Sequence, residues 1–132
     1  MTQDELNDIL ELHRTWRADV SSGKRAILVD ADMSGLDLRG ADLSDADLRG
    51  ANFSHAEMWR ANLSGANLSY SSLRNANLKE ADLSFTDLTE ADLRGADMTD
   101  VDLNGAEIWR CNFKGVRIHP VLLHTAIGCR EP

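Results

Sequence analysis

The chain has 132 residues, with 22 acidic and 14 basic side chains and a formal net charge of -8, which is enough length for one domain. This acidic balance argues against direct nucleic-acid binding and against an anionic membrane surface, and it favours a basic protein surface as partner. Two cysteines make no disulfide framework, the polar N-terminus shows no apolar leader, and no stretch of 18 apolar residues exists, so we expect a cytoplasmic protein.

Residues 2–22 predict an N-terminal capping helix. Thr2 and Glu5 form a capping box, and Gly23 marks the exit. Because the end of a solenoid needs a cover, we expect this helix to close the repeat region, with Trp16 over Leu28; a partner-binding helix is the alternative. The residues predicted to form the capping face at helical spacing are Leu6, Ile9, Leu10, His13 and Trp16.

Eighteen uninterrupted units of five residues follow, from Ala31 to Pro120, each with a large apolar centre and usually Ala two residues earlier. The frame extends weakly on both sides, which predicts a repeat domain over 26–125 and a short tail over 126–132. A step of five rotates by about 140° on a helix and reverses the face of a strand, so neither element buries both positions. The pattern therefore predicts a corner in every unit, with Ala and the centre pointing inward.

The predicted inward centre residues have structural roles only. They are Leu38, Leu43, Leu48, Phe53, Met58, Leu63, Leu68, Leu73, Leu78, Leu83, Leu88, Leu93, Met98, Leu103, Ile108 and Phe113. Gly, Ser, Asn and Asp at the last two positions of many units supply the turns.

The tandem A(D/N)LxG units, such as residues 46–50 and 91–95, resemble the pentapeptide-repeat family, and the resemblance covers roughly three quarters of the chain. It implies an all-β solenoid, a right-handed quadrilateral parallel β-helix with four units per coil. Twenty units would then make about five coils, roughly 24 Å long at the strand spacing. The opening residues Leu10, His13 and Trp16 are also similar to the family's first helix.

No catalytic constellation departs from the repeat, so we expect no enzyme and no cofactor. The spacing of the C-terminal His119, His124, Cys111 and Cys129 matches no zinc pattern, so no metal is expected. Cys111 replaces an inward Ala and is interpreted as a small core residue.

Several outward residues form a candidate interaction surface. Trp59 and Trp109 lie in near-copies, Glu-Met-Trp-Arg and Glu-Ile-Trp-Arg, fifty residues apart; four units per coil would place them on opposite faces. We expect each indole to stack on the following arginine, with a role as partner anchor as the alternative. The complete candidate surface is Trp59, Trp109, Tyr70, Phe85, Asp82, Asp87, Asp92, Asp97 and Asp102.

The sequence thus predicts a non-catalytic protein-interaction module with a rigid acidic surface. The family resemblance implies an alternative, a DNA-mimicking modulator of DNA gyrase or another type II topoisomerase, although no loop interrupts these repeats. An exposed edge of unpaired backbone groups also predicts a homodimer through the C-terminal end, unless the natural chain continues there. The residues expected at that dimer end are Ile118, Leu122, Leu123 and Ile127.

Overall fold

The computed structural model describes residues 1–126 of the chain. Helix α1 spans Gln3–Ala18 and helix α2 spans Pro120–Ala126. Between them, the backbone forms isolated parallel β-bridges without a longer strand, and every bridge joins residues twenty apart, from Ile27 with Asp47 to Asp97 with Arg117. Neither helix in this part of the chain is long and apolar enough to cross a membrane.

Bridge partners are twenty residues apart, so the chain returns to the same position after four units of five. We call twenty residues a layer, and we number four faces by the bridged residues that stack along each one. Those residues are Ile27, Asp47, Asn67, Asp87 and Glu107 on face 1; Asp32, Asn52, Ser72, Asp92 and Asn112 on face 2; Asp37, Glu57, Asn77, Asp97 and Arg117 on face 3; and Asp42, Asn62, Asp82 and Asp102 on face 4.

Each unit contains the predicted corner. Every fifth residue from Asp30 to Gly115 has a positive φ, with eleven non-glycine residues and seven glycines at these corners. A left-handed backbone costs an L-residue about 1–2 kcal/mol, so the layers must offset that strain. They do so through backbone hydrogen bonds such as Leu28 N to Asp47 O at 2.8 Å and Asp47 N to Ala26 O at 3.0 Å.

The core is a stack of centre residues and small inward residues. The fourteen predicted centres from Leu38 to Leu103 are at most 2% exposed, and Met33 extends the core towards the N-terminus. Ile108 and Phe113, predicted as core, are only partly buried. They differ because no described layer stacks on the layer that holds them.

Helix α1 covers the first layer with side chains that replace a preceding layer. Leu6 and His13 are fully buried, and Ile9 and Leu10 pack partly against the core. The Gln3 side-chain amide donates to Asp37 O at 2.8 Å and accepts from Asp37 N at 2.9 Å, as a backbone peptide would. The sequence pattern had not indicated Gln3, because it lies at the polar start of the helix.

His13 satisfies two buried backbone groups of the first layer. Its Nδ1 accepts the amide of Ala26 at 2.9 Å, so the ring proton is on Nε2, which donates to Ser44 O at 2.8 Å. The half-buried Trp16 lies against this ring, with 5.4 Å between ring centroids. Helix α1 begins at the predicted cap, where Thr2 Oγ1 accepts the Glu5 amide, but it ends at Ala18 instead of residue 22.

The C-terminal end of the repeat differs from the prediction. The frame predicted repeat units up to residue 125, yet α2 begins at Pro120. Pro120 lies at a corner position, where the other units have a positive φ, and its ring fixes φ near -65°. The corner therefore cannot form, and proline instead occupies the first position of a helix, where its missing N–H costs nothing.

Candidate interaction surface

The acidic residues at the bridged positions have a structural role that the charge pattern of the sequence does not indicate. Fourteen bridged Asp or Asn residues accept the amide two residues later, as Asp82 Oδ1 does from Ser84 N at 2.9 Å. Asn67 does the same for Ser69 N at 3.0 Å. Since the turn requires a side-chain oxygen as acceptor, Asn can form it as well as Asp.

The five aspartates of the predicted acidic face do not form one face. Asp82 and Asp102 are bridged to each other on face 4, but Asp87, Asp92 and Asp97 lie on faces 1, 2 and 3. The prediction grouped residues five apart in sequence, whereas neighbours in space are twenty apart. The structure therefore corrects this part of the candidate surface.

Many acidic side chains on the other faces are neutralised by neighbouring arginines. Arg94 Nη2 lies 2.6 Å from Asp92 Oδ2, and Arg39 Nη2 lies 2.8 Å from Asp37 Oδ2. Hydrogen bonds from the Arg39 side chain, followed by its backbone amide, lower the pKa of Asp37 to about 2. These carboxylates are held in local ion pairs and are less available to a partner.

Face 4 has a different charge distribution. Its units, residues 41–45, 61–65, 81–85 and 101–105, contain four aspartates and no lysine or arginine. Arg17 of α1 pairs with one of them, Asp45, at 2.5 Å. None of the ion pairs among residues 1–126 involves Asp42, Asp82 or Asp102. Face 4 therefore presents uncompensated negative charge.

The two tryptophans lie on opposite faces, as four units per coil would require, but their environments differ. On face 3, Trp59 stacks with the Arg60 guanidinium 4.5 Å from its ring centroid, and its Nε1 donates to Glu80 at 2.8 Å. Hydrogen bonds from Arg60 and then from Trp59 lower the pKa of Glu80. Trp59 is 39% exposed.

On face 1, Trp109 also stacks with its arginine, Arg110, at 5.3 Å. Arg110 pairs with Glu90 of the preceding layer at 3.4 Å, and the indole remains 67% exposed. Tyr70 and Phe85 occupy corner positions, with 66% and 72% of their surfaces exposed. All four aromatic residues of the candidate surface therefore face solvent, three of them strongly.

The C-terminal residues give neither a metal site nor a reactive thiol in the part of the chain described. No group of three His, Cys, Asp or Glu side chains there could hold a metal ion. Burial raises the pKa of the Cys111 thiol to about 11, and the thiol donates to Leu88 O. Ile118 and Leu122 pack partly against the core, and Leu123 is also partly buried. Cys129 and Ile127 lie outside the described residues.

The repeat is recognised by comparison with known proteins. The family model of pentapeptide repeats (8 copies) matches residues 26–58, 56–95 and 81–119. The chain belongs to the pentapeptide-repeat family. Family membership implies a right-handed β-helix. Comparison with curated protein sequences gives no significant match.

Among solved structures, a pentapeptide repeat protein from the thylakoid lumen of Arabidopsis thaliana is 32% identical over 74% of this chain and 72% of its own, with a TM-score of 0.47. The pentapeptide repeat protein Rfr23 of the cyanobacterium Cyanothece 51142 is 18% identical over 87% and 96%, with a TM-score of 0.43. QnrB1, a plasmid-mediated fluoroquinolone resistance protein, is 19% identical over 80% and 68%, with a TM-score of 0.38.

Proposed function

We propose that this protein is a non-catalytic module that binds a basic protein partner through a rigid acidic surface. The observation that carries the proposal is face 4, where Asp42, Asp82 and Asp102 lie in one row without a lysine or arginine in any unit of the face. Pentapeptide-repeat proteins are generally non-catalytic structural modules. We also propose that the layers wind as a quadrilateral β-helix of about five coils in the cytoplasm.

The row is rigid because each aspartate is fixed by the turn that it stabilises. Asp102 Oδ1 accepts from Asn104 N at 2.9 Å, and Asp82 Oδ1 accepts from both the amide and the hydroxyl of Ser84. Carboxylates held in this way lose little side-chain entropy when a partner binds. Layers about 4.8 Å apart would place these charges close together along the rod.

The proposal is tested by charge removal that leaves the turns intact. Asp82→Asn with Asp102→Asn keeps one acceptor oxygen in each of the two turns, as Asn62 shows on the same face, where its Oδ1 accepts the Ser64 amide. Asp37→Asn with Asp92→Asn removes the same charge from faces 3 and 2 and serves as the matched control. After affinity capture from the source cell, we expect a basic protein whose retention falls severalfold for the face 4 variant alone. Equal retention by both variants would contradict a face 4 interface.

A DNA-mimicking modulator of DNA gyrase or another type II topoisomerase is the second candidate. It is supported by the same uncompensated row of aspartates on face 4, since a DNA mimic must place negative charge where the basic DNA-binding surface of the topoisomerase binds phosphates. A gyrase supercoiling assay tests it: we expect inhibition or protection by the wild type at micromolar concentration and a weaker effect at higher salt. No effect at that concentration removes this candidate.

A homodimer through the C-terminal end is a separate proposal. Val121 is 66% exposed there, and Ile108 and Phe113 are incompletely covered. The amides of Leu103 and Gly105 have no backbone hydrogen-bond partner among residues 1–126, so part of the last edge is open for pairing. Sedimentation should show a dimer that Val121→Glu dissociates; a monomer at high concentration would refute the proposal.

A further inference from the structure

Three strongly exposed aromatic side chains border one face of the molecule. Tyr70 occupies the corner at which face 1 ends, Trp109 lies on face 1 two layers further on, and Phe85 occupies the corner at which face 1 begins. Trp109 and Tyr70 are thirty-nine residues apart in sequence, which concealed their proximity. With layers about 4.8 Å apart, they are separated by roughly 10 Å along the rod. We call Tyr70, Phe85 and Trp109 the aromatic patch.

The side chains of the aromatic patch make few contacts within the protein. No hydrogen bond among residues 1–126 involves the hydroxyl of Tyr70 or the indole N–H of Trp109, whereas Trp59 donates its indole N–H to Glu80. Phe85 lies against Gly105, where a Cβ atom would be only 2.6 Å from Phe85 Cδ1, yet the ring stays 72% exposed. Exposed Trp and Tyr on a rigid surface are the residue types that most often dominate binding energy.

The face between these aromatic residues is acidic. Asp87 and Glu107 are bridged to each other on face 1, in the two layers that carry Phe85 and Trp109, and neither takes part in an ion pair among the described residues. The side chains beside them are small, Ser69 and Thr89. Arg110 is already paired with Glu90 at 3.4 Å. An indole and a phenol ring thus flank two uncompensated carboxylates.

We propose that face 1 binds an arginine-rich segment of a protein partner across the aromatic patch. Guanidinium groups would stack on Trp109 and Tyr70 and pair with Asp87 and Glu107, since arginine combines a planar stacking surface with a fork that matches a carboxylate. This inference rests on the proposed function for the basic character of the partner, and it adds face 1, which adjoins face 4 at the Phe85 corner, as a second docking surface.

The probe is a fluorescein-labelled hepta-arginine peptide, titrated with the protein at low salt and followed by fluorescence anisotropy. The test variant is Tyr70→Ala with Trp109→Ala, and the matched control is Trp59→Ala, which alters the near-copy of the tryptophan motif on face 3. We expect the test variant to bind roughly five- to twentyfold more weakly, from two exposed cation–π contacts, and the control to stay within twofold of the wild type. Hepta-lysine should bind the wild type more weakly than hepta-arginine.

The outcomes separate this inference from the proposed function. If the wild type binds the peptide and Asp82→Asn with Asp102→Asn weakens binding while the aromatic variant does not, the acidic-surface function stands and the face 1 inference is overturned. Equal losses for the Trp59 control and the aromatic variant overturn it too. If no peptide binds, both proposals fail. If sedimentation shows a dimer that only the aromatic variant dissociates, the occupant is a second copy and the arginine-rich segment is wrong. Thermal melts must show that all variants are folded.

Discussion

Replacement of His13 by Leu should detach helix α1 from the first layer. The substitution keeps the buried volume nearly filled but leaves the Ala26 amide and the Ser44 carbonyl, both in residues at most 2% exposed, without their partners. An unsatisfied buried polar group costs about 1–3 kcal/mol, so the two groups together cost about 2–6 kcal/mol. A domain is stable by only about 5–15 kcal/mol, so this loss is a large fraction of the total.

Because solenoid layers contact only their neighbours, the loss should begin at the N-terminal end before it reaches the middle of the rod. Hydrogen exchange measures this directly: the Ala26 amide should lose protection in His13→Leu, while the Leu68 amide, which donates to Asp87 O at 2.7 Å, should keep most of its own. Urea unfolding followed by circular dichroism gives the total, and His55→Asn at an exposed corner is the control. Unchanged Ala26 protection in His13→Leu would refute the role assigned to this ring.

Three further predictions concern the repeat itself. Gly23→Ala should destabilise the protein by about 2 kcal/mol or more, because φ is +64° and the added Cβ would lie 2.7 Å from Trp16 N; Gly35→Ala, at φ +68° in open space, should cost only about 1 kcal/mol in the same urea titration. Leu63→Asp places a charge at a fully buried centre and should abolish the cooperative melt, whereas a parental melt would show the inward assignment to be wrong. Asp37 has a folded pKa of about 2, below the ordinary value of 3.8, so the stability that it contributes is present above pH 4 and is lost between about pH 4 and pH 2; Asp37→Asn should flatten that part of the pH–melting curve, and an unchanged curve would count against the ion pair.

The inward and outward positions could be predicted from the sequence because every unit repeats the same choice. Residues such as Leu43 and Ala46 recur at a period that fits neither a helix nor a strand, so a corner in each unit was required by elementary geometry. The number of units per layer could not be obtained in this way, because successive units are nearly identical and carry no mark of the layer. It came from the family resemblance, and the bridges between residues twenty apart agree with it.

Errors arose where neighbours in space are far apart in sequence, or where one residue breaks the rule of the repeat. The group Asp82, Asp87 and Asp92 follows the chain around the rod instead of along one face. The end of the repeat was placed too late because Val121 to Thr125 fit the hydrophobic pattern, although Pro120 already prevents the corner that such a unit needs. That signal was present in the sequence, since proline is incompatible with a positive φ.

The bridged aspartates have two separable properties: a side-chain oxygen that forms the turn and a negative charge that a partner could bind. Asn62 and Asp82 make the same hydrogen bond to the amide two residues later on the same face, so the turn is indifferent to which of them is present. The pattern of charge is therefore not dictated by folding. On face 2, Asp92 comes with Arg94 two residues later and is neutralised; on face 4, Asp82 and Asp102 are followed by Ser84 and Asn104 and stay uncompensated. Either residue would form the same turn, so folding does not require the uncompensated row of aspartates on face 4. Asp→Asn variants in this row therefore test binding separately from stability.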